Sequence, residues 1–301
     1  MAKAYSVVSS AMSGWGLLRR EPVNVLVWGV LLLVVIYGPL AAMMAPFMID
    51  FVRLAGETGA ASLGEEAAAG MASRMFLTNI LSLVLQWLAQ SVIACAVFRA
   101  VLEPEARSKF RLRLGAQEAW VALVVAIVFV GVYVASFVLG LGVAVVAIGF
   151  YFVGGEPGAV LGAVLGGLAG LGALAWVCLR LSMAAPMSFA ERELRLFESW
   201  KLTKGYAPRL LGMGLLTLLT VFLAELAVLA LILGPIFLLL TGGDPAALRS
   251  VTPDMVRPYI PAFLVIAFPL SALLSSAMLT ISVAPWAVAY KAIGGATDTP
   301  A

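Results

Sequence analysis

Long apolar stretches separated by short polar connections dominate the pattern of this chain. A helix that spans a membrane needs about 20 apolar residues. Six stretches reach that length, at 23–49, 76–102, 119–153, 159–182, 210–240 and 261–290. We therefore predict an all-α, polytopic membrane helix bundle with six transmembrane helices. It forms one integral membrane domain over 1–301, with the six spans at 23–290 and a short tail at 291–301.

A different pattern precedes the first span, within 1–22. Apolar side chains recur there at spacings of three and four, with serines on the other side: Tyr5, Val8, Met12, Trp15 and Leu18. This periodicity predicts an amphipathic helix that lies in the plane of the membrane interface. A weaker version at 190–206 predicts a second interfacial helix in the middle of the chain.

Two short sequences suggest an internal repeat. Residues 15–19 align with 200–204, and each leads within a few residues to a proline, Pro22 or Pro208, and then to a span. Residues 111–115 occupy the corresponding place in the middle. The simplest organisation is three repeated hairpins, each introduced by an interfacial element. Such repeats either build a site at their interface or record duplication alone.

The basic residues alternate between the two sides of the predicted bundle. Fifteen of the 19 lysines and arginines fall on one set of connections, and the other set contains only Arg53, Arg74, Arg249 and Arg257. Because cytoplasmic loops carry the excess of Lys and Arg, this bias predicts that both termini are cytoplasmic. The basic side is also expected to contact anionic lipids.

Composition excludes several classes of protein. The chain is 63% hydrophobic and 12% charged, whereas soluble domains carry about 25% charged residues. It has no histidine, and its two cysteines, Cys95 and Cys178, lie far apart in apolar runs. We therefore expect no metal and no cofactor. The basic residues flank spans, which argues against nucleic acid, and no nucleophile has a base beside it, so we expect no enzyme.

Short motifs carry a resemblance to a known family. Arg180-Leu181-Ser182, with Pro186 after it, and the segment 199–205 resemble the bacterial membrane domain associated with glycerophosphodiester phosphodiesterases and related uncharacterised six-span families. The resemblance covers nearly the whole length and implies the bacterial inner membrane. It implies no phosphodiesterase activity, because the chain lacks the soluble catalytic domain, and it supplies no functional residues.

Polar residues within the spans are the candidate site. Glu225 is the one acidic residue deep in a predicted span, where a charge costs at least ~2.5–3.5 kcal/mol. Asn79, Gln86 and Gln90, together with Ser82, form a polar stripe on the second span. These residues either line a cavity for protons, cations or a polar substrate group, or they hydrogen-bond neighbouring helices.

Two further sets of residues have alternative interpretations. Glycine recurs every fourth residue along the fourth span at Gly158, Gly162, Gly166 and Gly170. This row predicts close helix packing, either within the chain or with another chain. Arg99 and Arg180, near the ends of the second and fourth spans, are expected to reach lipid headgroups, either by snorkelling or by binding one phosphate.

Two functions are therefore considered. The first is a non-enzymatic inner-membrane protein that supports envelope organisation or a membrane complex, with a protein partner or as a homo-oligomer. The alternative is a transporter or lipid-handling protein with a site near Glu225 and the polar face of the second helix. A continuous cavity joining Glu225 to Gln86 or Gln90 would favour the alternative.

Overall fold

A computed structural model describes residues 6–40, 65–105, 109–244, 246–247, 255 and 260–297. All regular elements within these ranges are helical. Several predicted features lie outside them: the end of the first span, the first outer loop up to residue 64, most of the last outer loop and the tail after residue 297.

Nine α-helices follow one another in the described ranges. They are α1 (Val7–Ala11), α2 (Ser13–Arg20), α3 (Pro22–Leu32), α4 (Glu65–Leu102), α5 (Ala116–Leu181), α6 (Ala184–Glu191), α7 (Glu198–Leu202), α8 (Ala207–Thr241) and α9 (Ile260–Thr297). A π-helical turn, Leu33–Tyr37, extends α3, and a 3-10 turn, Lys109–Arg111, follows α4. Among the described residues, five helical stretches are long and apolar enough to cross a membrane, at Pro22–Leu40, Ala72–Leu102, Ala116–Glu191, Ala207–Thr241 and Phe268–Gly294.

Element α5 consists of two helices, which correspond to the predicted third and fourth spans and are joined at Gly155. Gly155 has φ 63° and ψ −149°, a conformation that glycine adopts without a steric penalty, and the chain reverses there. The two arms then lie against each other in antiparallel fashion, since Gly158 adjoins Phe150 and Gly166 adjoins Val143. Element α5 is therefore a hairpin of two antiparallel helices.

The N-terminal amphipathic segment is broken at Met12 into α1 and α2. The face that it turns to the protein consists mainly of small residues, Ser10, Ala11 and Gly14, with Leu17. A Cβ atom on Gly14 would lie 2.5 Å from the Cα atom of Ile281, so α2 and α9 are in backbone contact. Val8 and Met12 point outward, at 62% and 44% exposure.

The mid-chain segment is not one helix. Helix α6 ends at Glu191, Arg192 takes a left-handed conformation with φ 59°, and α7 begins only at Glu198. Arg195 lies in the connection and forms ion pairs with Glu191, Glu193 and Glu198 at 2.8, 3.2 and 3.2 Å. These polar contacts favour a folded turn over the continuous amphipathic helix that the sequence pattern suggested.

The buried residues concentrate at one end of the bundle. We call it the basic end, because it carries Arg20, Arg99, Arg111, Arg180 and Lys291. One buried cluster joins Leu17, Trp28, Ile93 and Ala284, and so links α2, α3, α4 and α9. Farther along, α5 and α8 expose large apolar side chains on most of their surface, and α8 is the least buried of the five apolar stretches. Packing is therefore tight at the basic end and sparse beyond it.

Candidate functional site

A buried ion pair joins α4 to α5. Arg99 and Glu118 have side chains that are 1% and 7% exposed, and the guanidinium donates to the carboxylate. Arg99 also donates to the carbonyl of Arg111 and lies 5.5 Å from the ring centroid of Phe189. The sequence predicted that Arg99 reaches lipid headgroups. The structure instead surrounds its guanidinium with protein, because Glu118 and the 109–111 turn offer it acceptors.

A second ion pair holds the connection after α4 against the start of α3. The guanidinium of Arg111 donates to both carboxylate oxygens of Glu21, at 2.7 to 3.0 Å. The buried Trp28 indole donates to the carbonyl of Phe110 at 2.9 Å. Phe110 and Arg111 both have φ 57°, a region that residues other than glycine seldom occupy. These contacts fix the connection in that conformation.

Arg180 lies beside a pair of tryptophans at the end of α5, whose ring centroids are 4.8 Å apart. Its guanidinium carbon is 5.4 Å from the ring centroid of Trp176 and 5.9 Å from that of Trp200, and it donates to Thr203 at 3.4 Å. A cation above aromatic faces is attracted by their negative π surface. Arg180 therefore ties α7 to α5, while remaining partly exposed.

Arg195 is the centre of an exposed cluster of charges. The pKa of Glu198 is lowered, first because its own backbone N–H donates to the carboxylate and then because Arg195 donates to it. The pKa of Arg195 is raised in turn, chiefly by the hydrogen bond to Glu198. The charges of these two groups stabilise each other.

The polar stripe of α4 lies on a face of the helix that is exposed at the surface of the protein. Asn79 is exposed and donates to the carbonyl of Met75 at 2.8 Å, within its own helix. Gln86 and Gln90 are exposed and have no hydrogen bond to a described residue. They line a groove of about 420 Å³ between α4 and α5, beside Trp87 and Phe129.

Glu225 lies on a different surface. Its side chain is exposed on α8 and makes no hydrogen bond or ion pair with the residues that the structure describes. Helix α8 packs mainly against α1, α5 and α9, and the groove of Gln86 and Gln90 does not include Glu225. The structure does not bring the carboxyl group and the polar stripe together.

The glycine row of the second α5 arm faces the first arm. A Cβ atom on Gly162 would lie 2.9 Å from the Cβ atom of Phe150, and one on Gly158 would overlap the carbonyl oxygen of Phe150. Gly166 and Gly170 adjoin Val143 at ordinary contact distances. All four contacts are within the chain, so the row closes the hairpin.

Sequence reasoning missed the acidic partners Glu118 and Glu21. Each stands next to the start of an apolar stretch, where an acidic residue is expected to be solvent-exposed at the end of a helix. The sequence does show these acids and several arginines at the ends of neighbouring spans, and this pattern could have suggested ion pairs between them. Among the described residues, no group of three or more His, Cys, Asp or Glu side chains could hold a metal ion.

Comparison of the chain with protein-family models, with curated proteins and with solved structures finds no match. The resemblance carried by Arg180-Leu181-Ser182 and by 199–205 therefore stays a prediction.

Proposed function

We propose that this chain is a non-enzymatic protein of the bacterial inner membrane that assembles laterally with a second copy of itself, and so supports organisation of the membrane or envelope. The chain crosses the membrane six times, because the α5 hairpin contributes two crossings to the five apolar stretches. The basic end and both termini face the cytoplasm, in keeping with the distribution of Lys and Arg. Three hairpins, introduced by α1–α2, by 109–115 and by α6–α7, give the simplest organisation.

The observation that carries the proposal is the exposure of Glu225 on α8. A polar group that faces hydrocarbon finds no water to replace its hydrogen bonds, so such residues normally face another helix or a water-filled cavity. Glu225 has no such partner among the described residues of its own chain. A neighbouring molecule that supplies a hydrogen-bonding group at the same depth would remove this cost.

The second copy offers suitable groups on α4. Gln86 and Gln90 are exposed and lack hydrogen bonds to described residues. A carboxamide both donates and accepts, so it can pair with either protonation state of a carboxyl group. Because α4 and α8 present these groups on separate surfaces, the pairing of Glu225 with Gln86 or Gln90 is available between copies.

The proposed pairing requires the two surfaces to lie at similar depths in the membrane. Glu225 lies twelve residues beyond Met213, and Gln86 lies nine residues before Cys95. Met213 and Cys95 belong to buried clusters at neighbouring positions of α9, with Ala289 and Ala287 respectively. At about 1.5 Å per residue, Glu225 and Gln86 stand roughly 15 Å from the level of Ala287. We infer that Glu225 and Gln86 lie within about one helical turn of each other in depth.

The alternative, a transporter or lipid-handling protein, is less well supported. It needs Glu225 beside the polar face of α4, within one continuous cavity. The groove that contains Gln86 and Gln90 is lined by α4 and α5, whereas Glu225 lies on the surface of α8. This separation favours assembly over a transport path.

Cross-linking between copies tests the proposal while Glu225 and Gln86 stay intact. In a chain with Cys95→Ala and Cys178→Ala, one tagged copy carries Leu229→Cys and a differently tagged copy carries Leu83→Cys. Both leucines are exposed and lie one turn from Glu225 and Gln86 on the same faces. We expect oxidation in membrane vesicles to join the two tagged copies.

Two control variants make the experiment specific. Val228→Cys replaces Leu229→Cys at a half-buried neighbouring position, and Glu225→Leu is added to the cross-linking copy. Both changes should lower the yield of mixed dimer. The absence of any mixed dimer, or equal yields from Leu229→Cys and Val228→Cys, would overturn the proposal.

A further inference from the structure

A cavity of about 540 Å³ lies at the basic end, where α2, α4 and α9 meet. Its volume falls within the range of sites for small molecules. Two cationic side chains from opposite ends of the sequence line it, Arg20 at the end of α2 and Lys291 on α9. Two serines and several apolar residues complete the described lining: Ser9, Met12, Ser13, Gly16, Leu17, Ala100, Val101, Pro104 and Val288.

The two cations have no partner among the described residues. Neither Arg20 nor Lys291 makes a hydrogen bond or an ion pair there, and the described lining contains no carboxylate. Glu21, the acid adjacent to Arg20 in the chain, is held by Arg111 and by Asn24. The fold therefore gathers two positive charges on one cavity without neutralising them.

The polar atoms of the cavity differ in what they can give to a ligand. The hydroxyl groups of Ser9 and Ser13 donate to the carbonyls of Ser6 and Ser10, so their protons are already used. Recognition of a ligand therefore depends on Arg20 and Lys291, which are donors only. Donors of this kind, without an acceptor beside them, favour an anion with several oxygen atoms.

We propose that this cavity binds a phosphate group, carried either by an anionic membrane lipid or by a soluble phosphate ester. Guanidinium and ammonium groups both bind phosphate oxygens. The apolar residues Met12, Val101 and Val288 line the same cavity as the cations, a combination that matches a headgroup with its glycerol backbone and the start of its chains. This site is independent of the assembly surface on α8.

Native mass spectrometry of the full chain, released from micelles that contain equal amounts of phosphatidylglycerol and phosphatidylcholine, tests the site. The wild type should retain phosphatidylglycerol preferentially. The variant Arg20→Ala/Lys291→Ala should lose roughly a factor of ten in that preference, since each basic group near an anionic headgroup contributes appreciably to binding. Arg19→Ala/Lys204→Ala removes the same charge from exposed positions outside the described lining and should leave the preference unchanged.

A second variant closes the cavity without changing its charge. A Cβ atom on Gly16 would meet no atom within 4 Å, and Gly16 lines the cavity. Gly16→Leu should therefore occupy part of the space, leave the fold intact by circular dichroism, and lower the phosphatidylglycerol preference as strongly as the double variant.

Inorganic phosphate distinguishes the two sources of the ligand. If millimolar phosphate binds the wild type and displaces phosphatidylglycerol, but fails with Gly16→Leu, the site binds phosphate and its ligand is soluble. If phosphatidylglycerol stays bound, the ligand is the lipid. The proposal is overturned by a wild type with no preference for phosphatidylglycerol and no phosphate binding, by equal losses in Arg20→Ala/Lys291→Ala and Arg19→Ala/Lys204→Ala, or by a folded Gly16→Leu variant that binds both ligands as the wild type does.

Discussion

Arg99 carries its charge at a position that is 1% exposed, so its environment must replace water. Glu118, the carbonyl of Arg111 and the ring of Phe189 do so. A buried pair of this kind is a weak source of net stability, but loss of one member leaves an uncompensated charge. The pair thus fixes how α4 and α5 meet at the basic end.

Removal of one member of the Arg99–Glu118 pair should therefore lower the free energy of unfolding more than removal of both members. We expect Arg99→Met to lower the free energy of unfolding by about 3–5 kcal/mol, because Glu118 stays buried and unpaired. The double variant Arg99→Met/Glu118→Met should recover a large part of that loss. Denaturant unfolding in detergent measures both, with the exposed Arg113→Met as control. A double variant less stable than Arg99→Met would contradict this account.

Glu198 gives a dependence of stability on pH. Its pKa in the fold lies below the ordinary value of 4.5, owing to its own backbone N–H and then to Arg195. A group with a lowered pKa stabilises the fold above its ordinary pKa, and that contribution disappears as the pH falls through the lowered value. Glu198→Gln should therefore melt at a lower temperature than the wild type at pH 7, and this difference should shrink as the pH falls below 4.5. A difference in melting temperature that does not change with pH would refute this assignment.

The residue scale was also the hardest to predict. Arg99 and Arg180 stand in equivalent places in the sequence, yet Arg99 is buried against Glu118 and Arg180 lies beside the Trp176–Trp200 pair. Which partner an arginine meets depends on how separate helices pack. A single sequence gives the position of a residue along its own span and little about its neighbours on other spans.

The α5 hairpin depends on close approach between its arms. Gly162→Ala would place a Cβ atom 2.9 to 3.0 Å from Phe150, Ala147 and Val146, two of these contacts being with backbone atoms. Such overpacking typically costs about 1–3 kcal/mol, so we expect a lower melting temperature in detergent.

Gly167 provides the matched control for the hairpin. A Cβ atom there would meet nothing within 4 Å, and alanine is a better helix former than glycine by about 1 kcal/mol. Gly167→Ala should therefore melt at or above the temperature of the wild type. Equal destabilisation by Gly162→Ala and Gly167→Ala would mean that the arms do not depend on the glycine row.

At the scale of the elements, long sequence patterns gave correct predictions and short patterns did not. The apolar stretches and the turn near Gly155 follow from hydropathy and glycine content, because a span must be about 20 residues long. The segment 190–206 was predicted as one interfacial helix, but the ion pairs of Arg195 and the left-handed Arg192 divide it. Short polar contacts decide such segments, and periodicity does not record them.

At the scale of the molecule, packing is tight at the basic end and sparse beyond it. Sequence patterns could not show this difference, because in lipid a helix is apolar on both its packed and its exposed faces. Only the alternative function, a transporter or lipid-handling protein, required the polar stripe of α4 and Glu225 of α8 to form one site. The structure exposes them on separate surfaces.

The proposed topology of six crossings requires the hairpin turn and the end of α8 to lie on the same side of the membrane. In a chain with Cys95→Ala and Cys178→Ala, single cysteines at Glu156 and Asp244 should react with an impermeant maleimide from outside intact spheroplasts. A cysteine at Lys204 should react only after lysis. All three positions are exposed. Reaction of Glu156→Cys only after lysis would show that the hairpin does not cross the membrane twice.

The number of copies in one complex is the most direct test of the proposed assembly. Mass photometry of the full chain, extracted from membranes into lipid nanodiscs without detergent, should give particles that contain more than one copy. Glu225→Leu should shift the particles to single copies, whereas Ala224→Leu, at the neighbouring half-buried position, should not. Single copies for the wild type, or the same copy number for wild type and Glu225→Leu, would contradict the account.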